Sequence, residues 1–152
     1  MILTPQLFKG REFVSVGTAD RSAKPNNAPK FLLKFEKPYI YLVDYTFATT
    51  MENLRSNPVA ALSFMDLHNL EGYRLFGTVE LIEKGKEFEK LAKEIERKNI
   101  PLSTDRVLEG MRTGKKYEYF ALERPDKFVV IKFKIEEATK IGARGDFYRE
   151  KE

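Results

Sequence analysis

YIYLVDYTFATTMENLRSNPVAALSF, residues 39–64, contains the junction that decides the fold. Tyr39–Val43 is aromatic and β-branched and reads as a strand, and Val59–Phe64 reads as a second one. Between them lies a polar bend rich in threonine, followed by a short helix over Met51–Ser56. Thr49-Thr50-Met51-Glu52 has the spacing of a capping box, and Asn57 is steered out of helix by Pro58. A strand feeding a helix start suits a phosphate-sized anion, because the first helical N–H groups lack partners and the dipole favours negative charge. The hydroxyls of Thr46, Thr49 and Thr50 add donors there, which makes the bend a candidate phosphate cradle. The same threonines also serve as plain helix caps in proteins without any ligand.

Outward from this junction the chain is mostly strand. FVSVGT (13–18), FLLKF (31–35), YRLFGTVELI (73–82) and FVVIKFKI (128–135) join the two strands above, giving six. ADRSAKPNN (19–27) reads as a hairpin loop, Glu36-Lys37-Pro38 as a tight connection and HNLEG (68–72) as a turn. Asn26-Asn27-Ala28-Pro29 reads as a turn leading into a strand. Short strands in hairpin order predict an antiparallel six-stranded β-barrel, all-β to α+β in class, since closure removes exposed edges. One main helix is expected over Lys86–Lys98, with Phe88, Leu91, Ala92 and Ile95 on the face that packs on the barrel and Pro101 beyond its end. A shorter helix follows at Asp105–Met111, capped by Ser103 or Thr104. The tail from Ile141 is either frayed or pinned by Phe147 and Tyr148.

At 152 residues the chain is expected to be one domain, 1–152, with a single core. The absence of cysteine excludes disulfides and thiolate metal sites, and the lone His68, in a turn, builds no histidine cluster. No metal is therefore expected. The N-terminus lacks a secretory pattern and no stretch approaches the roughly 20 apolar residues of a membrane span, so a soluble, cytoplasmic protein without a membrane partner is expected. The net charge of +4 is spread among interleaved acids, which argues against nucleic acid as a partner.

The order VGTADRSAKPNNAPKFLLKF, IYLVDYTFATTMENLRSNPVAALSF, YRLFGTVELIEKG resembles the FMN-binding split-barrel family of pyridoxamine 5′-phosphate oxidases and small FMN-binding proteins. Asn53, Leu54, Asn57 and Pro58 match its helix pattern NL-x-x-NP, and Gly77 with Glu80 match its next strand. The resemblance covers about Phe13 to Lys84 and implies a split barrel, noncovalent FMN and a homodimer with the flavin at the interface. It implies an oxidoreductase working with a small-molecule electron donor or acceptor, or else a noncatalytic FMN-binding electron carrier, or a deazaflavin or haem binder on the same fold. By the same resemblance Asn27, Ala28, Pro29 and Lys30 flank the ring and ribityl chain, Val43, Asp44, Tyr45 and Thr46 meet the ring edge, and Thr49 and Thr50 hold the phosphate. Family members usually carry lysine or arginine where this chain has Thr49 or Thr50; Lys30, Lys34 or Arg74 are the replacement charges available. Arg74, Arg144, Phe147 and Tyr148 are candidates for a contribution from the second chain. True pyridoxamine 5′-phosphate oxidases have a C-terminal arginine motif that ARGDFYRE does not reproduce, so vitamin B6 oxidation is disfavoured.

Blander readings stand beside these. Lys30 and Lys34 alternate with Phe31, Leu33 and Phe35 and so share a face that is ordinarily solvated. Tyr39 and Tyr41 suit a barrel face or a dimer contact better than stacking platforms. An oligonucleotide-binding barrel is the alternative outside flavin chemistry, and it would call for more clustered basic residues.

Overall fold

Apolar residues alternate with small or polar ones along most strands, and that alternation gives the barrel its inside and outside. In the computed structural model, which describes residues 2–114 and 127–152 and the side chains outside 99–107, seven strands form one antiparallel sheet. They are β1 (Phe13–Ala19), β2 (Pro25–Glu36), β3 (Tyr39–Asp44), β4 (Val59–Asp66), β5 (Glu71–Ile82), β6 (Val129–Ile141) and β7 (Phe147–Lys151). The spatial order is β3-β2-β1-β4-β5-β6-β7, and β3 also pairs with β6, which closes six strands into a barrel and leaves β7 as an added edge. β6 can serve both because its first half, Val129–Lys134, pairs with β3 while its second half, Glu137–Ile141, pairs with β7. Val14, Val16, Leu32, Ile40, Leu42, Leu62, Leu75, Ile131 and Phe133 fill the interior.

All six expected strands are present and close the barrel, with β7 as an unexpected seventh, and three corrections apply. β2 begins at Pro25, so Asn26-Asn27-Ala28-Pro29 is strand rather than loop or turn. Pairing with β3 starts only at Phe31, so this stretch has one free edge, where a proline without an N–H is tolerated. β6 runs past Ile135 to Ile141, with a register shift opposite Phe76 and Gly77 at the charged Glu136-Glu137 pair that masked the strand in the sequence. The tail is held through strand pairing of β7, whereas the rings of Phe147 and Tyr148 stay exposed.

Three helices are described: α1 (Pro5–Phe8), α2 (Thr49–Ser56) and α3 (Lys86–Thr113). α3 buries Leu91, Ala92 and Ile95 on the expected face, but it does not stop before Pro101, nor does a second helix start at Ser103 or Thr104. The strong helix formers of Lys86–Lys98 carry the helix into the proline, and the end comes at Gly114, whose φ of 69° is the left-handed cap. The chain forms two compact units, Met1–Ile82 with Phe128–Glu152, and Glu83–Lys127. Among the described residues no helix is long and apolar enough to cross a membrane.

Gly77 shows how tightly the barrel closes. A Cβ there would collide with the Lys134 carbonyl and lie 2.9 Å from the Phe133 ring. Gly77→Ala is therefore expected to cost on the order of 2–4 kcal/mol, read as a lower urea midpoint at unchanged slope.

Candidate functional site

Lys30 and Asp44 occupy neighbouring strands one step beyond the Phe31 and Val43 rung, on the barrel's inner side. Lys30 is 5% exposed and Asp44 1%, so the solvated-face reading of Lys30 fails: its ammonium lies 3.1 Å from Asp44 Oδ1. Thr46 completes the cluster, its N–H and hydroxyl donating to Asp44 Oδ1 at 2.8 and 2.7 Å while its oxygen accepts from Lys30 Nζ at 3.2 Å. Burial pushes the Asp44 carboxyl up, but the two Thr46 bonds and Lys30 outweigh it and hold its pKa below the usual range. Asp44 Oδ2 is buried with no hydrogen-bond partner among the described residues.

The outer face of the same sheet is different in character. Side chains of β1 that point away from the core are Ser15, Gly17 and Ala19, and those of β4 are Val59, Ala61 and Ser63. Gly17 lies opposite Asn27 on one side and Ala61 on the other, and Ala61 lies opposite Phe76. The result is a floor with nothing larger than a methyl group between Asn27 and Phe76. It forms a cavity of about 540 Å³ whose lining includes Gly17, Asn27, Val59, Ala61 and Phe76. Ser15 Oγ donates to Asn27 Oδ1 at 2.6 Å, which turns the Asn27 amide N–H groups into the available donors at the rim. A Cβ on Gly17 would make only ordinary contacts with Ala61, at 3.6 Å or more, so the glycine keeps the floor open rather than relieving a clash.

A second, polar cavity of about 520 Å³ lies at the start of α2, lined by Asp20, Lys24, Pro25, Asn26, Thr49, Glu52, Asn53 and Ser56. The expected capping box is absent: the N-cap is Ala48, whose carbonyl accepts from the N–H groups of Met51 and Glu52, and no side chain caps the helix. Thr50 is instead buried, its hydroxyl accepting from Asn26 Nδ2 at 3.1 Å. Thr49 is the exposed member of the pair. Asn53 Nδ2 donates to Thr18 Oγ1 and Asn57 Nδ2 to the Ala19 carbonyl, so the two asparagines of NL-x-x-NP tie α2 to β1.

The candidate residues thus fall in separate places. Asn27 borders the apolar cavity and Thr49 the polar one, with Pro25 and Asn26 lining both. Ala28 and Pro29 continue β2 from Asn27 toward Lys30. Val43 is buried in β3 between β2 and β6, and Tyr45 packs 6.2 Å from the Phe128 ring. Arg74, on the outer face of β5, stacks its guanidinium over Phe76 at 5.0 Å. Gly17, Val59, Ala61 and Phe76 escaped the sequence reading, although the small residues alternating with Val14, Val16, Ala60 and Leu62 were the signal for them.

Removing the Asp44 charge leaves the Lys30 ammonium buried and unpaired, so Asp44→Asn is expected to cost about 3–5 kcal/mol. The folded protein releases the Asp44 proton more readily than the unfolded chain, so the unfolded state binds more protons in that range. The pair's contribution is full above the ordinary value of 3.8 and is lost as pH falls through the lower folded value. Urea melts against pH for wild type and Asp44→Asn should converge in acid.

The family model for pyridoxamine 5′-phosphate oxidase matches residues 5–142. No curated protein matches the chain in sequence. Among solved structures, the chain is similar to a general stress protein 26-related protein of the pyridoxine phosphate oxidase family from Clostridium acetobutylicum, at 22% identity and TM-score 0.66, covering 96% of this chain and 89% of that one. It is similar to a pyridoxamine 5′-phosphate oxidase-related, FMN-binding protein from Nostoc punctiforme, at 10% identity and TM-score 0.56, covering 97% and 91%. An F420 reductase matches at 13% identity and TM-score 0.55, covering 91% and 98%. These structural likenesses establish the fold, and the family match, running from α1 through the end of β6, establishes more: this chain belongs to the pyridoxamine 5′-phosphate oxidase family.

Proposed function

We propose that the protein binds FMN noncovalently and acts as a flavin-dependent oxidoreductase. The observation that carries this reading is the flat floor of Gly17 and Ala61 between Asn27 and Phe76, a cradle that any larger side chain would fill. It suits a planar aromatic ring, and family membership makes a flavin the first ring to consider. Asn27 would donate to a ring carbonyl, Val59 and Phe76 would exclude water, and Thr49 with the first N–H groups of α2 would receive the phosphate. Lys24, on the same polar cavity, is the cation within that lining, because Lys30 is committed to Asp44. Asp20 and Glu52 oppose it and weaken the phosphate end.

When bound, the flavin supplies hydride or electron transfer with a small-molecule donor or acceptor, while the protein orients the ring and limits water. A homodimer fits this role, because Phe13, Val59, Met65 and Phe76 are exposed apolar side chains on the face that holds the cavity. A second copy laid on that face would roof the ring. The same flat floor accepts a deazaflavin, and the likeness to an F420 reductase makes that ring the competitor to test against FMN.

The test is a fluorescence titration of FMN into wild type and variants. Gly17→Leu should weaken FMN about tenfold or more by filling the floor, with a melting temperature close to wild type, since Gly17 has ordinary strand geometry. Thr49→Lys should tighten binding about fivefold by supplying the missing cation at an exposed position. Unaltered FMN affinity in Gly17→Leu would remove the ring from this floor.

A further inference from the structure

Arg74 is placed unusually for a strand arginine. Its Nε is buried with no hydrogen-bond partner among the described residues, and its guanidinium lies over the Phe76 ring. A buried donor left unpaired is costly, and in a native structure it calls for an explanation, of which a partner arriving from outside is one. Directly opposite on β6 lies Thr139, 2% exposed, whose hydroxyl is also unpartnered. Residues opposite each other in an antiparallel pair share a face and lie within reach of one ligand. Ser63, exposed, is the neighbour of Arg74 on β4, which extends this polar row.

The acids nearby do not satisfy Arg74. Glu137 is paired with Arg149 at 3.3 Å, and Glu136 accepts from Thr78. The row of Ser63, Arg74 and Thr139 lies one alternation along the strands from the row of Ala61 and Phe76, so it borders the apolar floor.

We propose that Arg74 and Thr139 form an oxyanion subsite beside this floor, which takes the carboxylate of a small carboxylic acid substrate. A guanidinium held flat by an aromatic ring presents a planar fork, which matches a carboxylate through two parallel bonds, and the threonine hydroxyl supplies a third donor. The subsite extends the flavin reading by giving the substrate class. It does not require Arg74 to hold the cofactor phosphate, since the polar cavity at α2 is lined by other residues.

The experiment is a titration of oxalate, and separately of inorganic phosphate, followed through the Arg74 Nε–H resonance, on protein with and without FMN. Saturable shifts with oxalate are expected. Arg74→Gln should weaken oxalate about tenfold or more while FMN affinity stays at the wild-type value, and Thr139→Val should weaken it by a smaller factor. Arg74→Lys keeps the charge without the fork and should bind oxalate between the two, which covers the case in which Arg74→Gln does not fold. Saturation by phosphate and not by oxalate overturns the carboxylate assignment. Loss of FMN and oxalate together in Arg74→Gln overturns it too, by assigning Arg74 to the cofactor. Failure of wild type to bind FMN, with oxalate still bound through Arg74, sinks the flavin reading and leaves the subsite standing.

Discussion

The pairing of Tyr39–Asp44 with Val129–Lys134 is the constraint on which the rest of this structure depends. Without it β3 and β6 would be open edges, and the apolar row of Ile40, Leu42, Ile131 and Phe133 would lack an enclosed interior. Its last rung places Asp44 opposite Val129, and there the barrel changes from apolar packing to a buried ion pair. Lys30 and Asp44 are costly groups to bury, and they hold only because Thr46 supplies hydrogen bonds that the pair alone lacks. The bend that follows β3 is therefore fixed by its own side chains before α2 begins.

Because a strand shows opposite faces at alternate residues, two adjoining four-residue stretches, 14–17 and 60–63, do two jobs at once. Val14, Val16, Ala60 and Leu62 fill the core, while Ser15, Gly17, Ala61 and Ser63 lay down an outer surface of small residues. Larger side chains return at the border, among them Asn27, Val59, Phe76 and Arg74. α2 is then fastened over the β1–β2 turn by Asn53, Asn57 and the Arg21 Nε bond to the Ser56 carbonyl, which positions the polar cavity next to the apolar one. The asparagines of the helix pattern are thus structural ties that seat this helix.

Much of the fold was legible because it is written in local chemistry. β-branched and aromatic runs marked six strands, and hairpin spacing gave their antiparallel order. What was misread depended on distant partners. Asn26 to Pro29 look like a turn until their single paired edge is known, and Glu136-Glu137 hide β6 because charges are tolerated where the register shifts. For the candidate site, Asn27, Lys30, Thr49 and Arg74 are named from sequence, yet the burial of Lys30 is not legible there, because no local signal reveals the Asp44 carboxylate on the neighbouring strand. Gly17 and Ala61 carry no chemistry of their own, so only their adjacency across two strands gives them a role.

We propose that the ligand face is the outer floor of β1 and β4, not the buried cluster at the barrel's end. A crystal structure of the protein with FMN tests it most directly. The expected result is the ring across Gly17 and Ala61, between Asn27 and Phe76, with the phosphate toward Thr49. A ring seated elsewhere, with that floor covered by protein alone, would contradict it.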